Sequence, residues 1–556
     1  MTQEGSPLAT ANAKQEGLVR SAGVVSVSVL LSRVTGLIRE IVMARLFGAS
    51  GTYDAFLLGF RIPNLTRDLF AEGALSSAFV PVFTRYLATK GKREAAELSN
   101  LVATAVVIVV GVLCIAGMIF SPELVRLMVP GFAAIPGKFE LAVKLTRIMF
   151  PFLLLVALAA QAMGVLNACN QFGVPALAST FFNIGSVIFG LVLGVWLGPV
   201  LGVTRIEGMA YGVVIGGAWQ LCWQIPSLLR AGFRYRPRLD LSHPGLRNIM
   251  RLMVPAIVGS ASVQINVMVN TNFASTITDS AGQVINGPVS WLSYAFRFMQ
   301  LPLGLFGVAI ASATLPSISR SAATQQMGEF RDTLARSLGM VLLLTVPASV
   351  GLAVLGKSMI AAVYQGGALT ASDTEQIALA LSCYAVGLCG YAAVKILAPA
   401  LYTLDDARTP MLVSLASIAV NYAAASSMIR FAGLGHAGLA LSTSLVASFS
   451  AVALLEAIRR RTGGIEGRQL MASFAKISVA SVAMGAACFS AGRALEVYLG
   501  VSRWMRLLEL AVTIPLGLVV FYAICRLSGL PELESARRAL LPPVLRRLGL
   551  ARAKIS

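Results

Sequence analysis

Residues 32–85 read SRVTGLIREIVMARLFGASGTYDAFLLGFRIPNLTRDLFAEGALSSAFVPVFTR. Most of them suit the interior of a membrane, but charged residues interrupt the stretch: Arg33, Arg39, Glu40, Arg45, Asp54, Arg61, Arg67, Asp68 and Glu72. A charged side chain at the bilayer centre costs roughly 2.5–3.5 kcal/mol on insertion scales, so such residues face a protein interior or a water-filled cavity. Because arginine is the commonest of them, the stretch predicts a pathway that holds an anion.

The composition of the whole chain predicts a polytopic membrane protein. Of its 556 residues 56% are hydrophobic and 13% charged, with a mean hydropathy of +0.77, which is too apolar to cover a soluble surface. The net charge of +20 would suggest nucleic acid in a soluble protein, but the positive-inside rule explains it in a membrane protein. We therefore expect membrane lipids, and no nucleic acid, as partners.

Segments of spanning length recur along the chain, since about 20 apolar residues cross a bilayer. We predict an all-α fold of about 14 transmembrane helices. The predicted spans are 18–47, 53–87, 97–121, 140–168, 173–197, 208–229, 249–277, 289–319, 333–356, 375–403, 410–430, 437–458, 473–495 and 504–526.

The distribution of basic residues predicts the orientation. Clusters at 90–93, 230–251, 459–468 and 537–554 fall on one side of the fourteen-span arrangement, and the opposite loops are poor in Lys and Arg. The positive-inside rule then places both termini in the cytoplasm. Residues 1–17 are predicted to be a cytoplasmic tail, and 527–556 a basic cytoplasmic tail suited to an amphipathic helix on the anionic leaflet.

An internal repeat divides the chain. SAFVPVFTR at 77–85 matches SATLPSISR at 312–320, and the same offset of 235 residues carries PAL at 175–177 onto PML at 410–412. We predict two pseudo-symmetric six-helix lobes around a central cavity, an N-lobe at 18–229 and a C-lobe at 249–458. Spans 13 and 14, at 473–526, lie outside the repeat.

Ionisable residues inside predicted spans are the candidate site residues. Arg297 lies well inside the eighth span, where it is either a cavity ligand for an anion or a cation that snorkels to the interface. Asp54 and Glu72 either pair with cavity arginines before substrate binds or form purely structural salt bridges. Enzyme chemistry is not expected, because the two histidines, His243 and His436, stand in predicted loops without a nucleophile or metal spacing.

Four motifs resemble a known family. SRVTGLIRE at 32–40, GASGTYDAF at 48–56, RIPNLTRDLFAEGALSSAFVPVF at 61–83 and SYAFRFMQLP at 293–302 are similar to the signature of the MurJ (MviN) family of lipid II flippases. These belong to the multidrug/oligosaccharidyl-lipid/polysaccharide (MOP) exporter superfamily. The resemblance covers essentially the whole chain, since the span count and the duplication also fit.

The resemblance implies a role in peptidoglycan synthesis, with no cofactor. Members of the family move undecaprenyl-pyrophosphate-linked disaccharide-pentapeptide (lipid II) from the inner to the outer leaflet of the bacterial cytoplasmic membrane by alternating access. Their diphosphate-binding cavity arginines correspond to Arg33, Arg39, Arg67 and Arg297, and their acidic partner corresponds to Asp54. A monomer is expected, and proteins of cell-wall synthesis are candidate partners.

Two other functions stay open at this point. A drug or cation antiporter of the same superfamily is the main alternative, but its cavity should be rich in carboxylates and aromatics rather than arginine. A channel or scaffold would not need duplicated lobes. The driving force is open between a Na⁺ or H⁺ gradient and the membrane potential, with Asp405, Asp406 and Asn421 as candidates for a sodium site.

The predicted orientation is testable at position 236. In a variant without native cysteines, Arg236→Cys should resist a membrane-impermeant maleimide in intact cells and react once the cells are permeabilised, because this basic loop should face the cytoplasm. Labelling of intact cells would contradict the fourteen-span arrangement.

Overall fold

The computed structural model describes residues 7–67, 75–464, 467–500 and 502–534. Glu72 and the greater part of the predicted basic tail, from residue 535 onward, lie outside these ranges. The regular structure of the described residues is helical, apart from two isolated β-bridges. By its internal contacts the chain divides into two compact units, Met1–Met268 and Val269–Ser556.

The first unit contains ten helices and the start of an eleventh within the described residues. They are α1 (Pro7–Phe47), α2 (Gly51–Arg67), α3 (Ser76–Thr89), α4 (Gly91–Ile119), α5 (Ser121–Met128), α6 (Lys138–Met149), α7 (Pro151–Ala168), α8 (Gly173–Leu191), α9 (Gly198–Leu201), α10 (Arg205–Arg230) and α11 (Pro244–Ser275). A 3-10 turn at Pro130–Ala134 precedes α6, and a π-helical turn at Val192–Trp196 follows α8. The division between the units falls inside α11.

The second unit continues with nine further helices. They are α12 (Pro288–Pro302), α13 (Ala309–Ala323), α14 (Met327–Val363), α15 (Ala371–Val386), α16 (Leu388–Thr403), α17 (Arg408–Arg430), α18 (Gly435–Thr462), α19 (Gly467–Leu499) and α20 (Arg503–Leu527). A π-helical turn at Leu303–Val308 joins α12 to α13. Such wide turns relax the regular hydrogen-bond ladder and often mark functional positions.

The two units repeat one packing order. In the first, α3 packs on α4 and α7, α10 packs on α7 and α8, and α2 packs on α6; in the second, α13 packs on α14 and α16, α18 packs on α16 and α17, and α12 packs on α15. Pro175 and Pro410 are each the third residue of their helix, α8 and α17. Gly208 and Gly438 are each the fourth residue of α10 and α18. The predicted duplication is therefore confirmed in the internal packing of each unit.

The membrane-spanning character of the helices is clear from their length and composition. Nine helices of the described residues are long and apolar enough to cross a membrane, or ten if the bent pair α15 and α16 forms one span. The other four predicted spans fall on α1, on α2 with α3, on α10 and on α11. The all-α polytopic class is confirmed, and fourteen spans are consistent with these helices.

The last two helices pack against α14 of the second unit. Small residues allow the close approach: a Cβ added at Gly485 of α19 would lie 2.6 Å from Cγ1 of Val350. A charged cluster completes the contact, in which the Arg506 guanidinium binds Glu496 at 2.6 Å and Glu509 at 2.9 Å. The Ser358 hydroxyl of α14 donates to Glu509 at 2.7 Å. The pair α19 and α20 is thus an integral part of the second unit.

Gly485 provides a test of this packing. Gly485→Ala should lower the Tm of the purified protein, because the new methyl group overlaps Val350 and overpacking costs about 1–3 kcal/mol. Gly351→Ala in α14 is the matched control, since a Cβ there would have no heavy atom within 4 Å and alanine favours helix by up to about 1 kcal/mol. Equal Tm values for the two variants would contradict the close approach.

Candidate functional site

Arg39 lies between two aromatic rings of the first unit. Its guanidinium carbon is 5.6 Å from the ring centroid of Phe60 in α2 and 5.3 Å from that of Phe182 in α8. Phe152 of α7 stacks on Phe182 with the centroids 5.1 Å apart, and it contacts Phe60 at 5.7 Å. A guanidinium over a ring face is attracted by the ring quadrupole, and it stays charged when partly desolvated. Two rings, backed by Phe152, therefore hold a cation in a partly apolar setting.

Arg33 lies on α1 six residues before Arg39 and is exposed. Its side chain has no hydrogen-bond or ion-pair partner among the described residues. The neighbouring backbone is anchored, since the Asn183 amide of α8 donates to the carbonyl oxygen of Ser32 at 3.1 Å. Gly36 faces the same amide, and a Cβ there would lie 3.4 Å from Asn183 Nδ2. Helix α8 thus fixes α1 beside a cation that is available to a ligand.

Asp54 is fully buried in the first turn of α2 and forms an ion pair with Lys138. The Lys138 Nζ lies 2.9 Å from the Asp54 carboxylate and 4.1 Å from the ring centroid of Phe132. Lys138 is itself 5% exposed. Two opposite charges at this depth stabilise each other, and removing either one would break a buried ion pair.

The structure does not describe the side chains of two predicted site residues. Arg67 is the last residue of α2, but its side chain is not described, and Glu72 lies outside the described residues. Their assignment to the site stays a prediction.

Arg297 belongs to the second unit, on α12. It is exposed, as is Gln300 one turn later, while Tyr294 and Phe298 on the adjacent face of the helix are buried against Tyr364 at centroid distances of 4.9 and 5.4 Å. Aromatic packing therefore fixes the rotation of α12 and directs Arg297 away from the core of its unit. The π-helical turn at 303–308 begins six residues further on.

Of the three residues considered for a coupling ion, Asp405 is exposed, and Asp406 and Asn421 are engaged in other contacts of the second unit. Asp406 is bound by the Thr409 hydroxyl and backbone N–H and by Arg461 at 2.9 Å, and these contacts hold its pKa below the usual value. Asn421 donates to the Asn270 side-chain oxygen at 3.0 Å and accepts from Ser442 at 3.3 Å. Within the described residues, no three His, Cys, Asp or Glu side chains are grouped to hold a metal.

Sequence reasoning missed three residues that support the predicted arginines and Asp54. Asn183 carries a recognisable signal, because it is an amide inside an otherwise apolar predicted span. Phe182 is one of many apolar residues in that span, and nothing local distinguishes it. Lys138 lies between the predicted spans 97–121 and 140–168, and no motif joins it to Asp54 across 84 residues of sequence.

Comparison with known proteins gives one consistent family. The sequence profile described as "Lipid II flippase MurJ" matches residues 43–508. A probable lipid II flippase MurJ from Vibrio cholerae is 33% identical over 529 residues, which cover 93% of this chain and 98% of that protein. The lipid II flippase MurJ of Burkholderia cenocepacia is 34% identical over 448 residues, covering 80% of this chain and 84% of that protein.

Solved structures agree with the sequence relatives. A lipid II flippase MurJ in an inward closed conformation aligns with a TM-score of 0.73 at 26% identity, covering 90% of this chain and 98% of that one. An inward-facing multidrug resistance MATE transporter of the MOP superfamily aligns with a TM-score of 0.63 at 14% identity, covering 78% of this chain and 94% of that one, which shows a shared fold. The resemblance predicted from the motifs is confirmed: the chain belongs to the lipid II flippase MurJ family.

Proposed function

We propose that this protein moves lipid II from the inner to the outer leaflet of the bacterial cytoplasmic membrane by alternating access. Membership of the MurJ family supports this function, and it makes the protein a transporter rather than an enzyme. The structural observation that carries the proposal is the arrangement of arginines on α1, where Arg33 is exposed without a described partner and Arg39 is held between aromatic rings.

Arginine chemistry fits the diphosphate of this substrate. A diphosphate presents several anionic oxygens, and each guanidinium offers a planar fork of donors that binds two of them at once. Partial desolvation, as at Arg39, strengthens such a pairing because the local dielectric is lower than that of water. Arg67 and Arg297 complete the proposed set of four phosphate ligands, and Glu72 is the second proposed acidic partner beside Asp54.

The alternative of a drug or cation antiporter has less support. MATE transporters share the fold, but a cation substrate would require an excess of carboxylates at the site for which we propose Arg33, Arg39 and Arg297. The proposal also includes an orientation with both termini in the cytoplasm, a monomeric state and contact with proteins of wall synthesis. It further includes coupling to a Na⁺ or H⁺ gradient or to the membrane potential.

The direct test is depletion of the protein in its host. Lipid II should accumulate on the cytoplasmic leaflet while its synthesis continues, because only the crossing step is removed. Accumulation of a different lipid-linked sugar would identify another substrate, and continued appearance of lipid II outside would contradict the function.

Substitution of the arginines tests the binding site. Arg33→Ala, Arg39→Ala, Arg67→Ala and Arg297→Ala should each abolish complementation of the depleted strain at normal protein levels, and lysine should rescue incompletely because the bidentate fork is lost. Arg430→Ala, at the end of α17, is the control for loss of one exposed arginine. Full growth with Arg39→Ala and Arg297→Ala would show that these charges are structural.

Variants of Asp54 and Lys138 distinguish a structural role of this ion pair from a role in transport. Asp54→Asn should lower the Tm of the purified protein, since breaking a buried ion pair by removing one partner costs about 3–5 kcal/mol. The double variant Asp54→Leu with Lys138→Met should recover most of that stability, because an apolar pair of similar volume replaces both charges. Transport should remain lost if Asp54 acts in the cycle, and recovery of transport together with stability would make the pair purely structural.

A further inference from the structure

The connector between α10 and α11 has an alternating sequence. Residues 231–243 read AGFRYRPRLDLSH, so that Arg234, Arg236 and Arg238 alternate with Tyr235, Pro237 and Leu239. The segment from residue 233 to 240 forms neither helix nor strand. In extended chain, successive side chains point to opposite sides. This segment, residues 233–241, is called the strap below; it presents a cationic side and an apolar side.

The strap is fixed along one face of α4 in the first unit. The backbone N–H of Arg236 donates to the Asn100 side chain at 3.2 Å, and that of Arg238 donates to the Thr104 hydroxyl at 3.2 Å. The Arg238 guanidinium forms an ion pair with Glu97. Glu97, Asn100 and Thr104 are spaced three and four residues apart, so they share one helix face. Three successive attachments therefore hold the strap in place.

Both sides of the strap carry exposed side chains. The side chains of Arg234 and Arg236 are exposed and have no hydrogen-bond or ion-pair partner in the described parts of the chain. On the other side Leu239 and Leu241 are 58% and 61% exposed, whereas the partly exposed Tyr235 shares a hydrogen bond with the Thr104 hydroxyl at 3.2 Å. Apolar surface beside free cations is unfavourable in water and suits a bilayer interface, where the stems enter the apolar region and the charges stay with the headgroups.

Helix α4 continues from the strap into a lipid-facing surface. One turn beyond Thr104, the exposed residues are apolar: Ile108, Val109, Val112 and Ile115 are 44% to 60% exposed. At the other end of the helix, Lys92 and Arg93 are exposed. The strap thus lies along α4 where the exposed surface of the helix changes from basic to apolar, a pattern expected at the level of the lipid phosphates.

We propose that the strap is a binding site for anionic phospholipids. The guanidinium groups of Arg234 and Arg236 bind lipid phosphates, while Leu239 and Leu241 insert at the boundary of the acyl chains. Attachment to α4 keeps both arginines in position without an ordering cost at each binding event. This site is separate from the arginines proposed to bind the substrate diphosphate. It binds phospholipids that surround the protein, not the transported substrate.

Lipid binding to the full-length purified protein tests the proposal. Phosphatidylglycerol and phosphatidylcholine are titrated in detergent, and bound lipids are counted by native mass spectrometry. Arg234→Gln with Arg236→Gln should weaken phosphatidylglycerol binding at the tightest sites by roughly tenfold or more, given about fivefold for each basic residue at an anionic surface. Phosphatidylcholine binding should change little, and the Tm should match that of the wild type.

The matched control removes the same charge elsewhere. Arg320→Gln with Arg336→Gln changes two exposed arginines of the second unit and should leave the tightest phosphatidylglycerol sites intact. Equal weakening in both double variants would overturn the proposal, since binding would then follow net charge alone.

A photocrosslinking residue at position 241 in cells identifies what covers the strap. A phospholipid adduct supports the proposal. A protein adduct in place of lipid overturns it, because the strap would then be a protein docking surface.

Discussion

The cost of placing charge among apolar helices governs the structure. Where both charges can be buried together, as at Asp54 and Lys138, the chain pairs them at 2.9 Å and places an aromatic ring against the cation. Arg506 follows the same rule with two carboxylates and a serine hydroxyl. A buried charge needs such partners because the low dielectric that strengthens the pair also raises the cost of an orphan.

Arg33 and Arg39 satisfy the same constraint in a different way. Arg33 stays exposed, and Arg39 is held by ring faces of Phe60 and Phe182. Ring faces attract a cation through the ring quadrupole and do not neutralise its charge. The first unit thus contains both a buried ion pair, Asp54 with Lys138, and an arginine held against ring faces.

Small residues allow the helices within each unit to pack closely. Gly212 of α10 faces the backbone of α8, where an added Cβ would lie 2.5 Å from the Ser186 carbonyl oxygen, and Gly387 and Gly390 face α18 in the second unit in the same manner. Helices at such short separation pack by van der Waals contact, which is the main source of helix association where lipid removes the hydrophobic driving force. Tight packing inside each unit suits lobes that move as bodies in alternating access.

The amino-acid sequence by itself determined the class, the duplication and the candidate cations. Hydropathy and length identify spans because backbone polar groups in lipid must be satisfied within helices. The repeat was visible because Pro175 and Pro410 occupy the same position in equivalent helices. The motifs around Arg33, Arg39 and Arg297 indicated the MurJ family, and the comparisons confirmed it.

Only the tertiary structure decided which partner each charge has. Lys138 meets Asp54 because α6 packs on α2, and Phe182 meets Arg39 because α8 packs on α1. These contacts join residues far apart in sequence, and periodicity within one helix gives a face but not the neighbour that the face meets. The placement of the strap on α4 has the same origin, since its alternation is local but its attachment through Asn100 and Thr104 depends on the fold.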